Sequence, residues 1–302
     1  MMTVYIIGGS GFLGKNLVSN FSKRYKIVVF DKYIDSTFFI KYPSIKTVQL
    51  DLIEDTIPSN FETPDFIINL ASIVTAERDL TLFDSLISSN LKILLNLHRR
   101  FGKEKSLKLF IQFGSSEEYG SENSPFSETM RENPNSPYAL VKQLTTNTAI
   151  MLYQNYGFPT MVVRPGNLFG PMQHKSKFIP YILEQLKNNC QLNVSPCEQK
   201  RDFIHTEDFA WAISGLLNNY LKCVGEIVNV SSGESISLKE IIQFCKDELK
   251  SVSVINYGAI PYRANEMMDL RCSISKLSDI LDIPVKLNMK DRLKNLIAAN
   301  NK

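Results

Sequence analysis

Val4-Tyr5-Ile6-Ile7-Gly8-Gly9-Ser10-Gly11-Phe12-Leu13-Gly14 is the stretch whose reading decides the fold. Four apolar, β-prone residues run into a glycine-rich turn, and the turn runs into residues 12–22, which carry a helical pattern. Gly8, Gly11 and Gly14 stand in a GxxGxxG spacing. Glycines there let the backbone turn sharply, let a pyrophosphate approach the amides of a helix N-terminus, and let helix and strand pack closely. A strand before and a helix after are the context that a dinucleotide-binding loop requires. The loop residues expected at such a cofactor are Gly8, Ser10, Gly11, Phe12, Leu13 and Gly14.

Working outward, a second apolar run at residues 27–30 ends in Asp31. That is where a carboxylate bonds the adenosine ribose hydroxyls, about 20 residues beyond the glycines. A carboxylate repels a 2′-phosphate, so NAD is the expected cofactor, with NADP the alternative because Lys32 stands next door. A third run at 47–50 leads to Asp51-Leu52, suited to the adenine edge. Further apolar runs at 66–70, 109–113 and 160–163 alternate with helix-length segments at 80–101 and 137–156. Apolar strands alternating with helices indicate a parallel sheet covered on both faces. The expected class is therefore α/β, a doubly wound parallel sheet of Rossmann type.

After Arg164 the loops lengthen, at 170–177 and 193–200, and short strands mix with helices at 178–188 and 238–250. Residues 1–165 read as a dinucleotide-binding domain with later segments around 201–230 interleaved. Residues 166–302 read as a smaller mixed α/β portion for substrate. The 302 residues are 44% hydrophobic and 22% charged, which excludes a disordered chain or coiled coil. The net charge of +3 is scattered, so no nucleic-acid partner is expected. Five cysteines form no CxxC pair, and His98, His174 and His205 lie far apart, so free thiols are expected and no metal. No segment approaches the ~20 apolar residues that span a bilayer, which points to a cytoplasmic chain without a membrane partner.

Tyr138 and Lys142 are four residues apart in a helical stretch and share a face, with Pro137 a suitable helix start. A free phenol has a pKa near 10, so roughly one in a thousand is ionised at pH 7. A lysine ammonium together with a cationic nicotinamide is expected to favour the phenolate, a shift of ~3 units worth roughly 4 kcal/mol. Tyr138 would then pass the proton of a carbinol hydroxyl while hydride moves to or from the nicotinamide. Ser115 follows the run at 109–113, at the carboxyl end of a parallel strand, where it is placed to bond a substrate oxygen. Glu117 reads either as a second acid or base, or as a solvated loop acid.

These residues together resemble the extended short-chain dehydrogenase/reductase family of nucleotide-sugar epimerases, dehydratases and reductases. The resemblance also rests on Asn69-Leu70-Ala71, on Arg164-Pro-Gly-Asn-Leu-Phe-Gly-Pro171, on Arg201-Asp-Phe-Ile-His205 and on Arg263-Ala-Asn-Glu266. It implies that Tyr138 is the acid/base, Lys142 its ribose-binding partner and Ser115 the holder of the substrate hydroxyl. It places Leu70, Ala71, Ser72, Asn90 and Pro165 near the cofactor. It assigns Thr75, Ser116, Asn167, Lys177, Phe178, Arg201, Arg263 and Glu266 to the nucleotide sugar, with Asn167, Arg201 and Arg263 gripping its diphosphate. Ile7 departs from the threonine of many relatives.

The 4,6-dehydratases of this family place Thr-Asp-Glu where this chain has Ser115-Ser116-Glu117, and Ser116 carries no carboxylate. Residues 114–120 resemble GDP-4-keto-6-deoxymannose reductases, whereas 177–182, 199–204 and 258–260 resemble CDP-abequose-type 4-keto reductases. The resemblance thus implies an NAD(P)H-dependent 4-keto reductase of a nucleotide-linked 6-deoxy sugar, or the reverse 4-dehydrogenase. A 4-epimerase with bound NAD and a 4,6-dehydratase are the alternatives, and an NAD(P)-sensing scaffold is the non-enzymatic one. A homodimer formed through a four-helix bundle of segments 80–101 and 137–156 is also implied.

Overall fold

The computed structural model describes residues 1–300 except Ala76, Ala264 and Lys286. Its central sheet is built from β1 (Thr3–Ile7), β2 (Lys26–Asp31), β3 (Lys46–Gln49), β4 (Phe66–Asn69), β5 (Leu109–Phe113), β6 (Thr160–Pro165) and the strand Ile227–Val230. All neighbours are parallel, in the order Ile227–Val230, β6, β5, β4, β1, β2, β3. Strand order therefore reverses beside β1, with Ile7 opposite Phe30 on one side and Asn69 on the other. In an open α/β sheet the crevice beyond the carboxyl ends at such a reversal is where ligands bind.

The reason these runs are continuously apolar is that both sheet faces are covered. Every residue of β4 and β5 is buried. Side chains alternate between faces, so Val4 and Ile6 join one core with Leu17 and Phe209, whereas Tyr5 and Ile7 join another with Leu94 and Phe110. A third core, around Phe169, Ile182, Leu192, Ile241 and Leu296, belongs to the later part of the chain. There the strand Lys200–Arg201 lies between Ile236–Ser237 and Asp269–Leu270. Buried Asp202 fastens this junction, accepting from the Ser232 amide (2.9 Å), the Ser232 hydroxyl (2.6 Å) and the amides of Gly233 and Cys272 (both 3.1 Å).

The strands and most helices fall where the apolar patterns place them, and two features differ. The seventh sheet strand, Ile227–Val230, is not among the apolar runs read from the sequence, and it lies at the edge of the sheet beside β6. Segment 80–101 is not one regular helix: Phe83–Ile87 and Ile93–Phe101 flank a π-helical turn at Ser88–Lys92. That turn presents Asn90 to the interior, where its amide nitrogen donates to the Leu86 carbonyl at 2.8 Å. Among the described residues, all five cysteines are free, no three His, Cys, Asp or Glu side chains converge as a metal site, and no helix is long and apolar enough to cross a membrane.

Candidate active site

The glycine loop is shaped by close approach. Gly8 has φ +78°, and a Cβ there would sit 2.8 Å from the Ala71 nitrogen; one on Gly14 would sit 2.5 Å from the Gly9 Cα. The helix Phe12–Phe21 starts at Gly11 with no side-chain cap, so its first amides face the crevice without a protein acceptor. This is the arrangement a pyrophosphate needs, and the residues present fit a dinucleotide. The Asp31 carboxylate accepts from the Ser10 amide at 2.8 Å and the Tyr33 amide at 3.2 Å, which holds the loop beside the end of β2. Lys32 is engaged by Asp51 at 2.8 Å, which raises the lysine pKa and lowers that of the carboxyl. Leu52 is buried, with its carbonyl bonded by Asn96 at 2.8 Å.

With Lys32 engaged by Asp51, Asp31 is the residue expected to discriminate between ribose and ribose phosphate. Asp31→Ala is expected to cut the NAD/NADP affinity ratio by about tenfold or more, the worth of one charged hydrogen bond. Calorimetric titration with both cofactors reads this directly, and an unchanged ratio removes Asp31 from the ribose.

Tyr138 and Lys142 are 6% and 2% exposed, on the helix Pro137–Tyr156. Ser136 starts that helix, its hydroxyl accepting from the Ala139 amide at 3.1 Å, with Pro137 in the first turn. The Lys142 ammonium lies 5.8 Å from the Tyr138 ring and donates to the Phe113 carbonyl at 3.0 Å. Ser115 lies two residues beyond β5 and caps the turn Ser116–Tyr119, accepting from the Glu117 amide at 3.2 Å.

The protein's own groups do not by themselves favour the phenolate, and the expected shift rests on the cationic nicotinamide as well. Burial, reinforced by the Glu117 carboxylate, pushes the Tyr138 phenol above its ordinary pKa, and the nearby Ser115 hydroxyl opposes this only in part. Burial also lowers Lys142 to about 8, against the pull of Glu118. The two groups are desolvated together, and desolvation disfavours both charged forms.

A cavity of about 960 Å³ runs from the glycine loop past this pair into the later part of the chain. All the expected substrate residues line it: Thr75, Ser115, Ser116, Glu117, Asn167, Lys177, Phe178, Arg201, Arg263 and Glu266. So do Leu70, Ser72 and Pro165 among the expected cofactor residues. Ser10, Asp31, Lys32, Asp51, Leu52, Ala71 and Asn90 are not part of its lining. Asn90 is buried behind it, bonded to its own helix turn.

Glu117 is half-buried rather than solvated. Burial pushes its pKa up, and Arg201, Arg78, Arg263 and Lys177 pull it down. Arg201 is itself paired with Glu266 and donates to the carbonyls of Lys200 (2.8 Å) and Met267 (2.6 Å). Cations outnumber carboxylates at this end, which suits a diphosphate.

Sequence reasoning missed Arg78, Glu118 and Arg164. Glu118 is fully buried; it accepts from the Ser115 amide (2.7 Å) and the Thr146 hydroxyl (3.0 Å) on one oxygen, and from Arg164 Nε (2.9 Å) and Nη2 (2.7 Å) on the other. Arg164, also fully buried, bonds Glu132 as well and lies 4.7 Å from the Tyr119 ring. A charged residue inside the apolar run of β6 was the available signal.

Fold and site together define a dinucleotide-dependent enzyme of the short-chain dehydrogenase/reductase class. The chain belongs to the NAD dependent epimerase/dehydratase family, whose profile matches residues 4–231. It is 24% identical to an uncharacterized UDP-glucose epimerase of Bacillus subtilis, over 98% of this chain and 97% of that one. It is 34% identical over 116 residues to the CDP-abequose synthase of Salmonella muenchen, covering 38% of this chain and 40% of that one. The UDP-glucuronic acid 4-epimerase of Bacillus cereus, solved with UDP-glucuronic acid and NAD, superimposes with a TM-score of 0.90 at 20% identity, over 99% of this chain and 100% of that one.

Proposed function

We propose that the protein reduces the C4 ketone of a nucleotide-linked 6-deoxy sugar, or oxidises the corresponding alcohol in reverse. The observation that carries this reading is the cavity wall that Tyr138, Lys142 and Ser115 share between the glycine loop and the cationic residues, with a buried phenol and a hydroxyl placed to meet one sugar oxygen. When bound, the nicotinamide supplies the hydride. Tyr138 donates its proton to the ketone oxygen as that oxygen gains charge, and Ser115 holds the same oxygen from the end of β5. Lys142 stands beside the phenol as the ribose-binding cation. Asn167, Lys177, Arg201 and Arg263 hold the diphosphate, and Glu117 orients among them as a sugar-hydroxyl acceptor. The glycine loop takes the pyrophosphate of NAD, with Asp31 at the adenosine ribose. Ser116, which has no carboxylate to protonate a leaving hydroxyl, weighs against dehydration. The likeness to CDP-abequose synthase supports the reductase reading.

A second reading, 4-epimerisation with retained NAD, is favoured by the full-length similarity to the Bacillus subtilis epimerase. Purified protein assayed with NADH or NADPH against a panel of 4-keto-6-deoxy nucleotide sugars separates the two. Stoichiometric cofactor oxidation with a product two hydrogens heavier supports reduction. No net oxidation, with isomeric product from ordinary nucleotide sugars, replaces it with epimerisation.

Reduction needs the ammonium of Lys142 and the phenol of Tyr138. Lys142 loses its proton near 8 and Tyr138 above its ordinary value, so kcat/KM for reduction is expected to fall as pH rises through about 8. A profile flat to pH 10 contradicts that assignment. On the helix Pro137–Tyr156, Leu140, Leu144 and Met151 remain exposed along one side. This stripe supports a homodimer through a four-helix bundle with segment 80–101, and the molar mass in solution tests it. Five unpaired thiols suit a reducing cytoplasm.

A further inference from the structure

Glu118 sits where three parts of the site meet. One carboxylate oxygen takes the Ser115 amide at 2.7 Å and the Thr146 hydroxyl at 3.0 Å, so it ties the turn after β5 to the helix that carries Tyr138 and Lys142. Thr146 is one helical turn beyond Lys142 on the same buried face, so the carboxylate that takes the Thr146 hydroxyl meets the side of the helix that carries the lysine. Between them runs the end of β5: Phe113 gives its carbonyl to Lys142 at 3.0 Å, and a Cβ on Gly114 would fall 2.3 Å from the same Glu118 oxygen. Gly114 is therefore bare because the carboxylate occupies the place of its side chain. Four donors converge on two oxygens, the Arg164 guanidinium among them, and they favour the carboxylate against the burial that pushes its pKa up.

We propose that Glu118 is a positioning residue: its buried carboxylate clamps the Phe113–Gly114–Ser115 backbone against the catalytic helix and serves as counter-charge to the Lys142 ammonium. The proposal rests on the acid/base reading of Tyr138 and Lys142 but is tested without turnover. Lys142 has Tyr138 on its own helix, Glu117 and Glu118 on the turn after β5, and Arg164 on β6 beyond Glu118, itself paired with Glu132. Of these groups, Glu118 is the one whose charge raises the lysine. Its loss should make the ammonium harder to keep, with little change at the glycine loop.

The experiment is NMR titration of ¹³C,¹⁵N-lysine-labelled full-length protein, with the Lys142 signal identified by its absence in Lys142→Met. In Glu118→Gln the Lys142 midpoint is expected to fall by about one unit, while calorimetric NAD affinity stays within about threefold. The alkaline limb of turnover moves with it, and Glu118→Asp recovers part of the shift. An unchanged midpoint in folded, NAD-binding Glu118→Gln overturns the counter-charge role. Should that variant not fold, hydrogen exchange on the unmodified protein still decides the clamp. The Ser115 amide should exchange at least ~100-fold more slowly than an unprotected loop amide, and exchange at the loop rate overturns it. The acid/base reading fails separately, if Tyr138→Phe keeps its turnover.

Discussion

Tyr138→Phe is expected to lower turnover by ~10²–10⁴-fold, the worth of a positioned general acid. The fold and NAD affinity should survive, because phenylalanine fills the same volume beside Leu86 and Val141. The glycine loop also lies on another element, the turn between β1 and its helix. The hydroxyl is the only atom removed, so the loss measures proton transfer rather than packing. Steady-state kinetics on the identified substrate, with calorimetric NAD binding as control, check it. Activity within a few fold of the unaltered protein ends the acid/base assignment.

Arg164→Met is the second large effect, and it acts on stability. Arg164 is fully buried and is the counter-charge for both Glu118 and Glu132. Methionine fills much of the volume but leaves two neighbouring carboxylates without their cation. Breaking a buried pair from one side costs ~3–5 kcal/mol, which for a chain of this size lowers Tm by roughly 5–8 °C.

The sign with pH follows from the carboxylates. Burial already holds Glu118 above its unfolded pKa and holds it higher still without the guanidinium, and such a group loses stability as pH rises and regains it as pH falls. The deficit in Tm should therefore shrink between neutral and mildly acidic pH. Thermal unfolding at several pH values reads this, and an unaltered Tm shows that the pair contributes nothing net.

Much of this architecture is legible in the chain itself. The run 4–14 announces strand, turn and helix in one line, since each signal sits within a few residues of the next. Tyr138 and Lys142 announce a shared helix face for the same reason, a spacing of four. The strand Ile227–Val230 is not legible that way, because its partner β6 supplies the reason for it and lies more than sixty residues earlier. The π turn around Asn90 escapes too, since helical periodicity does not record one extra residue in a turn.

The candidate site divides along the same line. Its residues are legible in local motifs, but the balance of charge and burial at Tyr138 is not. A lysine four residues away is visible in sequence, whereas the burial that opposes it is not. Glu117 read as readily as a solvated acid; only assembly brings Arg78, Lys177, Arg201 and Arg263 around it from separate segments. Glu118 and Arg164, 46 residues apart, became partners in the same way.

The sequence by itself determined the parallel sheet, the dinucleotide loop and the Tyr–Lys helix, because each is specified by spacing along a short stretch of backbone. Only the tertiary structure decided which groups are buried, which charges face one another and so which protonation states the site holds. Desolvation and Coulomb energy depend on distance through space, and that distance is set by the packing of segments remote in the chain.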